Sequence, residues 1–302
     1  MHSELFIQNN KLISETEWER EIKDIQSSIK HEIADRSEAK KSLALALTCA
    51  VEQRIPEEKF GVLFSGGVDS SLIALLAKKS GKNFACYTLG FQDDKSKEPE
   101  DVRAALAVAE GLGLNIKTKI INLKEAEELI KKTVKIIGPG LNNVVNVGVG
   151  GVVIGCIELA KRDGIKYLFS GLGSEEIFAG YHRHRLAENK QEECWQGLLN
   201  MYERDLLRDF LIANHFKISL LTPFLDKELI TTAMRVPAEL KIDEKNSKII
   251  LRETAEDLGL PKEIAWRGKR AAQYGSRLDK AIDKLARKNG FELKKDYLKS
   301  LE

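Results

Sequence analysis

One stretch of the chain, residues 61–73 (GVLFSGGVDSSLI), constrains the fold more than any other. The apolar run at 62–64 is typical of a buried strand, and the apolar spacing that follows the glycines predicts a helix. A glycine-rich turn between the two would present backbone N–H groups and the positive end of the helix dipole, which favour an anion. Gly66 and Gly67 would let the backbone approach a phosphate without a Cβ in the way. The stretch therefore predicts a phosphate-binding loop after a core strand.

The polar side chains of this loop fit a phosphate accompanied by a metal ion. Ser65, Ser70 and Ser71 add hydroxyl donors. Asp69 makes sense if it holds a divalent cation that also bridges the phosphates, because a carboxylate alone would repel them. The Walker A pattern Gly-x-x-x-x-Gly-Lys-Ser/Thr occurs nowhere in the chain, which argues against a kinase or motor acting on a γ-phosphate.

Four motifs in a fixed order resemble a known family. Residues 65–70 (SGGVDS) resemble the pyrophosphate-binding loop of the N-type ATP pyrophosphatases, and residues 168–181 (LFSGLGSEEIFAGY) resemble the second signature of the asparagine synthetase synthase domain. The third motif is PFLD at 223–226, and the fourth joins LR at 251–252 to RGK at 267–269. The segment after this last motif resembles archaeal asparagine synthetase-like proteins and eukaryotic asparagine synthetase domain-containing proteins more than the biosynthetic enzymes.

The resemblance, which covers about residues 40–278, implies an enzyme that uses ATP and Mg²⁺. Such enzymes adenylate a carboxylate or amide substrate, release pyrophosphate and AMP, and transfer nitrogen. Carried over by motif, the roles fall on these residues: Ser65, Gly66, Gly67, Asp69 and Ser70 for pyrophosphate; Phe64, Leu89, Ser170 and Gly171 for adenosine; Asp69 and Glu175 for the metal; and Lys269 with Asp69 for catalysis. Arg54 and Arg252 also match the family and read equally well as structural ion pairs.

Two departures from the family pattern put the acceptor substrate in question. Asparagine synthetases carry a glutamate between the glycines of the second signature, whereas this chain has Leu172, which can neither accept a proton nor orient ammonia. The synthetases also carry an arginine in the preceding helix, whereas residues 142–155 offer Asn142, Asn143 and Asn146. An asparagine has neither the charge nor the forked geometry that binds a carboxylate. We therefore expect little or no asparagine from aspartate and ammonia.

Composition and net charge limit the classes of molecule that this chain is expected to bind. A formal net charge of +2 in 302 residues does not indicate a general polyanion-binding surface, so nucleic acid is not favoured as a partner. We identified no membrane-spanning run and no signal peptide, and the four scattered cysteines suit a reducing cytosol, so we expect a cytoplasmic protein with a small-molecule substrate. His2 stands where glutamine-using synthetases have a catalytic cysteine. The sequence thus predicts no glutaminase domain, with ammonia, an amine or a separate subunit supplying nitrogen, and it leaves a homodimer open.

Alternating strands and helices predict an α/β fold, a parallel twisted sheet flanked by helices and followed by a helical C-terminal part. This is the adenine nucleotide alpha-hydrolase-like class. We divide the chain into an N-terminal helical extension (1–36), the synthetase-like domain (37–278) and a charged helical tail (279–302). Residues 115–121 alternate like a strand at a sheet edge, and no strand is predicted after residue 182.

Three smaller expectations concern local structure. Ser37 is a candidate N-cap for the helix that precedes the loop. The glycines of 142–163 are expected to pack closely against the nucleotide. Strand 84–89 is expected to end near Leu89, which would place that residue beside the loop.

Two other function classes stay open at this point. RNA-modifying members of the pyrophosphatase superfamily adenylate tRNA bases, but they usually carry cysteine pairs or an added RNA-binding domain, and neither is found here. A nucleotide-binding protein without turnover is also compatible with Leu172.

Overall fold

The computed structural model describes residues 4–8, 11–93, 99–268 and 272–302. The strands are β1 Ile7–Gln8, β2 Lys11–Leu12, β3 Phe60–Leu63, β4 Phe84–Phe91, β5 Ile116–Ile121, β6 Tyr167–Phe169 and β7 Ser219–Leu221. The α-helices are α1 Glu15–Ser28, α2 Arg36–Glu52, α3 Val68–Lys79, α4 Glu100–Leu112, α5 Leu123–Ile137, α6 Val144–Arg162, α7 Ser174–Ile177, α8 His182–Leu186, α9 Lys190–Met201, α10 Leu207–Phe216, α11 Lys227–Arg235, α12 Ile249–Asp257, α13 Lys262–Ala265, α14 Ala272–Gly275, α15 Leu278–Lys288 and α16 Lys294–Lys299.

Five parallel strands form the central sheet in the order β5-β4-β3-β6-β7, with helices packed around them. The predicted fold class is confirmed, and β5 lies at the sheet edge as expected. The prediction of no strand after residue 182 is wrong, because β7 forms the opposite edge beside β6. Its three residues are too few to show a period of their own, so the partner strand decides that this segment is extended.

The helix before the loop begins at Arg36 and has a different N-cap from the one expected. The Asp35 carboxylate accepts a hydrogen bond from the backbone N–H of Glu38 at 2.8 Å, so Asp35 and not Ser37 is the N-cap of α2. The preceding α1 ends at Ser28. It is firmly packed, because its buried Trp18 donates an indole hydrogen bond to the carbonyl of Leu198 at 2.9 Å.

Helix α6 is the most apolar helix of the core. Its length and composition would suit a membrane span, but 61% of its most apolar window is buried inside the protein, as in the core helix of a globular domain. Its glycines face protein: a Cβ at Gly155 would lie 2.6 Å from the Leu89 side chain, and one at Gly151 would lie 2.5 Å from Leu278. The expectation that these glycines face a nucleotide is therefore wrong at both positions.

The last two helices belong to the core. Leu278, Ile282 and Leu285 of α15 are buried in the same apolar cluster as α5 and α6, while the lysine- and arginine-rich end of α15 faces outward. The described segments near both ends of the chain therefore pack into the core of the sheet domain. The proposed domain boundaries at 36 and 278 stay predictions.

Candidate nucleotide site

Two loops meet at the carboxyl edge of the sheet, as their motifs required. Ser65 lies just beyond β3 and Ser170 directly follows β6, and these two strands are paired in parallel. The contact between the loops is close, since a Cβ on Gly171 would lie 3.2 Å from the Cβ of Asp69. Ligands of open parallel sheets bind at this edge. Two loops that are about a hundred residues apart in sequence thus form one shared site.

The first loop has the shape of a cradle at the start of α3. Gly67 is the N-cap of α3, so the free N–H groups of that helix point at the loop. The Ser65 N–H donates to the Ser70 hydroxyl at 3.3 Å, and the Gly67 N–H lies 3.4 Å from the Ser65 hydroxyl. Ser71 is buried. The loop therefore offers Ser65 and Ser70 to a ligand, with Ser71 behind them.

Gly66 is required for a reason that the sequence did not show. Its φ is +66°, and a Cβ there would lie 2.9 Å from the carbonyl oxygen of Ala104 in α4. Both constraints come from the protein itself, independently of any phosphate. Gly67 has an ordinary φ of −80°, so only the freedom of approach argues for glycine there.

An arginine from the fourth motif fixes the loop from behind. Arg267 donates from Nε to the carbonyl of Gly66 and from Nη2 to the carbonyl of Ser65, each at 2.9 Å. With their carbonyls held by the guanidinium, the two peptide units have fixed orientations. Burial lowers the pKa of Arg267, and Asp101 and Glu100 oppose that effect.

A second arginine supports the first. Arg252 in α12 donates from Nη1 to the carbonyls of Ala265, at 2.5 Å, and Arg267, at 3.2 Å. Its Nε binds the carbonyl of Ser247 at 2.8 Å, and its guanidinium lies 5.8 Å from the ring of Trp266. Arg252 therefore holds the segment that carries Arg267, and its charge also interacts with Asp69 of the loop.

The two predicted metal carboxylates converge on one point, where a lysine now sits. Lys248 Nζ lies 2.8 Å from both carboxylate oxygens of Asp69 and 2.8 Å from Oε1 of Glu175. Ser174 donates its hydroxyl to Asp69 at 2.6 Å and lies 3.0 Å from the ammonium. Lys248 is almost fully buried, and that burial lowers its pKa while Asp69 opposes the effect.

This arrangement suits a Mg²⁺ ion shared with phosphate. Within the described residues, no group of three or more His, Cys, Asp or Glu side chains could hold a metal alone. Mg²⁺ in nucleotide enzymes usually takes one or two carboxylates and completes its shell with substrate phosphates and water. Asp69 and Glu175 already share one cation, the Lys248 ammonium, so their oxygens are placed to share another.

Comparison with known proteins agrees with these motifs. The asparagine synthase family profile matches residues 42–196 and 188–296. The chain belongs to the asparagine synthase family. The protein named "Putative asparagine synthetase (glutamine-hydrolyzing) 1" from Methanocaldococcus jannaschii is 34% identical over a 297-residue alignment that covers 85% of this chain and 53% of that protein. Asparagine synthetase (glutamine-hydrolyzing) from Homo sapiens is 31% identical over 249 residues, 78% of this chain and 43% of that protein.

The chain spans about half the length of these curated relatives. Among solved structures, NMN synthetase from Francisella tularensis aligns over 87% of this chain and 92% of its own, with 14% identity and a TM-score of 0.41. That score is too low for the likeness to carry an argument. Family membership confirms the resemblance on which the site residues were assigned.

An arginine from another helix lies near the segment in which the family carries its arginine, and the sequence did not reveal it. Asn143 caps α6, and Asn142 donates a hydrogen bond to the carbonyl of Leu298. Both side chains therefore have structural partners and do not replace the positive charge of the family's arginine. The buried Asn146 lies 3.4 Å from Nη1 of Arg208, which enters from α10. Arg208 is neutralised there, since Asp209 at 2.7 Å and Asp205 at 3.2 Å accept from it. No sequence signal marked it, because α10 lies about sixty residues further along the chain.

Glu176, next to the metal carboxylate, has a separate partner. It is buried and pairs with Arg204, whose guanidinium lies 5.4 Å from the ring of Tyr181. Burial raises the pKa of Glu176, Asp205 adds to the effect and Arg204 opposes it. Glu176 therefore forms its ion pair with Arg204, while its charge also acts on the nearby Lys248.

The remaining predicted residues are placed as follows. Phe64 is buried, and its N–H donates to the carbonyl of Tyr87 at 2.9 Å. The expectation that strand β4 ends at Leu89 is wrong, because it continues to Phe91. Leu89 still lies past the end of β3, where Leu63 pairs with Tyr87. Lys269 lies outside the described residues.

Arg54 turns out to be structural. It is buried and pairs with Glu4 and with Asp226, each at 3.0 Å. It borders a cavity of about 900 Å³ between the N-terminal segment, α1, α2 and α11, and neither nucleotide loop lines that cavity. Since this space lacks the glycine cradle and the metal carboxylates, we place the candidate site at the two loops.

Proposed function

We propose that this protein is an ATP-dependent synthetase that adenylates a carboxylate or amide acceptor and transfers nitrogen to it. The main support is the convergence of the two loops on one cation, with Asp69 from the first and Glu175 from the second. A phosphate cradle beside a pair of metal carboxylates is what cleavage of ATP between its α- and β-phosphates needs. Family membership supports the same reaction class.

In the proposed reaction, an acceptor oxygen attacks the α-phosphorus of ATP, and the bond to the bridging oxygen of the β-phosphate breaks. The N–H groups of the α3 start, with Ser65 and Ser70, would hold the departing pyrophosphate. Asp69 and Glu175 would hold Mg²⁺, which neutralises charge that develops on the phosphates. Lys269 is proposed to stabilise the same charge.

The second half of the reaction would use a nitrogen nucleophile. Its lone pair attacks the activated carbon, AMP leaves with the bonding electrons, and the nitrogen loses a proton. Phe64, Leu89, Ser170 and Gly171 would line the adenosine. Ammonia, an amine or a nitrogen-supplying subunit remains the proposed source, and aspartate is a poor candidate acceptor because Leu172 replaces the family glutamate.

The test is a product screen with purified protein, ATP and Mg²⁺. Release of AMP and pyrophosphate is measured with a panel of carboxylic acids and amides, each with ammonia. Asp69→Asn should abolish release. Asp283→Asn is the matched control, because Asp283 lies on α15 with its side chain 39% exposed and paired only locally with Arg287.

Each result of the screen has a meaning. AMP formation with a small acid supports the proposal, and asparagine formed efficiently from aspartate would refute our view of the acceptor site. AMP formation only with tRNA would favour the RNA-modifying alternative. Tight ATP binding without AMP under any condition would indicate a nucleotide-binding protein without turnover.

A further inference from the structure

Lys248 is the residue at the centre of the site that no motif assigned. Its ammonium contacts four oxygens from three residues: both carboxylate oxygens of Asp69, the Ser174 hydroxyl and Oε1 of Glu175, all between 2.8 and 3.0 Å. A Cβ on Gly180 would lie 1.8 Å from Oε2 of Glu175 and 2.5 Å from Cε of Lys248. Only glycine at position 180 leaves room for the Lys248 and Glu175 side chains in these positions.

The backbone at Lys248 is also unusual. It has φ 57° and ψ 31°, the left-handed region, at the N-cap position of α12, and no side-chain hydrogen bond caps that helix. A non-glycine residue in this region is strained, because its Cβ crowds the following carbonyl oxygen. Such strain persists only where the surroundings impose it, and it clusters at functional sites. The strained backbone aims a buried cation at two carboxylates from separate loops.

We propose that Lys248 is the resident counter-cation of the Asp69–Glu175 pair in the nucleotide-free protein, and that it leaves this pair when a divalent metal arrives with ATP. The displacement of Lys248 by a metal that arrives with ATP rests on the proposed function. Two buried carboxylates side by side need a positive charge, since an uncompensated buried charge is strongly destabilising. Lys248 supplies positive charge to both carboxylates without metal.

The ammonium and a divalent ion compete for the same oxygens. Lys248 contacts both oxygens of Asp69 and one of Glu175, so a metal bound there would take ligands that the ammonium now uses. Two cations would also repel each other at contact distance. Free metal must therefore displace Lys248 and should bind weakly, whereas a metal that brings a triphosphate supplies an anion that the displaced ammonium can face.

The experiment uses Mn²⁺, a paramagnetic substitute for Mg²⁺, in the absence of nucleotide. Free Mn²⁺ is measured by electron paramagnetic resonance in a titration of the full chain. Lys248→Met should bind one Mn²⁺ at least about tenfold more tightly than the wild type, because the Lys248 ammonium no longer competes with the metal for the oxygens of Asp69 and Glu175. Lys245→Met is the matched control on the exposed part of the same loop and should behave as the wild type.

A double variant assigns the gained site. Asp69→Asn with Lys248→Met should lose the gain, because the pair is then a single carboxylate. Equal Mn²⁺ affinity in the wild type and in Lys248→Met would overturn the proposal. If Lys248→Met is unfolded by circular dichroism, millimolar Mn²⁺ should restore the fold, and failure to do so would equally contradict the role.

This outcome is independent of turnover. A protein that never releases AMP would refute the proposed function, yet the nucleotide-free Mn²⁺ titration would still measure whether Lys248 and a metal exclude each other. Conversely, AMP release together with equal Mn²⁺ affinities would leave the function intact and remove only the role of Lys248.

Discussion

Replacing Gly66 with alanine tests whether the loop is shaped by the protein or only by its ligand. The added Cβ would meet two separate constraints: a φ of +66°, and the Ala104 carbonyl oxygen at 2.9 Å. The left-handed backbone costs an L-residue about 1–2 kcal/mol. Contact with a fixed helix backbone adds an overpacking cost of about 1–3 kcal/mol. We expect Gly66→Ala to lower the free energy of unfolding by about 2–5 kcal/mol.

Gly81→Ala is the control that separates these two contributions. Gly81 has a similar φ of +71° at the end of α3, but an added Cβ would meet nothing within 4 Å. It should therefore lose only the backbone contribution, about 1–2 kcal/mol. Unfolding midpoints in urea would compare the two variants with the wild type, and calorimetric titration would compare their ATP affinities.

The reasoning makes two claims that can fail. Gly66→Ala should be the less stable of the two variants, and only Gly66→Ala should also weaken ATP binding, because the loop must move away from α4. Equal losses of stability would show that the loop relaxes freely and that the contact with Ala104 does not hold it. Unchanged ATP affinity in Gly66→Ala would show that the cradle lies elsewhere.

Other parts of the structure give predictions of their own. Trp18→Phe removes the indole N–H that donates to the carbonyl of Leu198, so the unfolding free energy should fall by about 0.5–1.5 kcal/mol, and an unchanged urea midpoint would show that this hydrogen bond does not stabilise the fold. Burial lowers the pKa of His184 to about 4, so neutral His184 adds stability above pH 6.5 that is lost as the pH falls toward 4; His184→Gln should flatten that part of the stability curve, and identical curves would contradict it. Arg267→Met should weaken ATP binding by tenfold or more, since even one charge-assisted hydrogen bond is worth about 1.5–3 kcal/mol, whereas an exposed Arg287→Met should not.

The core of the fold was readable from sequence because its signals are local. The strand, glycine turn and helix at 60–79 lie within twenty residues, and each shows its own periodicity or breaker. Alternating units then fix a parallel sheet with its carboxyl ends on one edge. The meeting of the loops after β3 and β6 follows from that rule. Short elements such as β7 were not predicted, because three residues in an edge strand are too few to show a hydrophobic periodicity.

The reasons behind particular residues were less accessible. From the sequence, the glycine at Gly66 was explained by the close approach of a phosphate. Its positive φ and the approach of α4 already require a residue without a Cβ there. Ser37 and Asp35 are both good cap residues, and the choice between them depends on where the chain enters the helix. The glycines of α6 were assigned to a nucleotide, yet Gly151 and Gly155 pack against the side chains of Leu278 and Leu89.

A glycine cradle with an acidic residue after one core strand, and a second acidic loop after another, were predictable from sequence, because both are continuous segments whose conformations are set by neighbouring residues. The cations that pair with these loops were not predictable, because they come from distant parts of the chain. Lys248 reaches Asp69 across 179 residues, and Arg267 reaches Ser65 across 202. A lysine or arginine in a sequence looks the same whether it is solvated or buried, and its charge acquires a partner only when distant segments pack together.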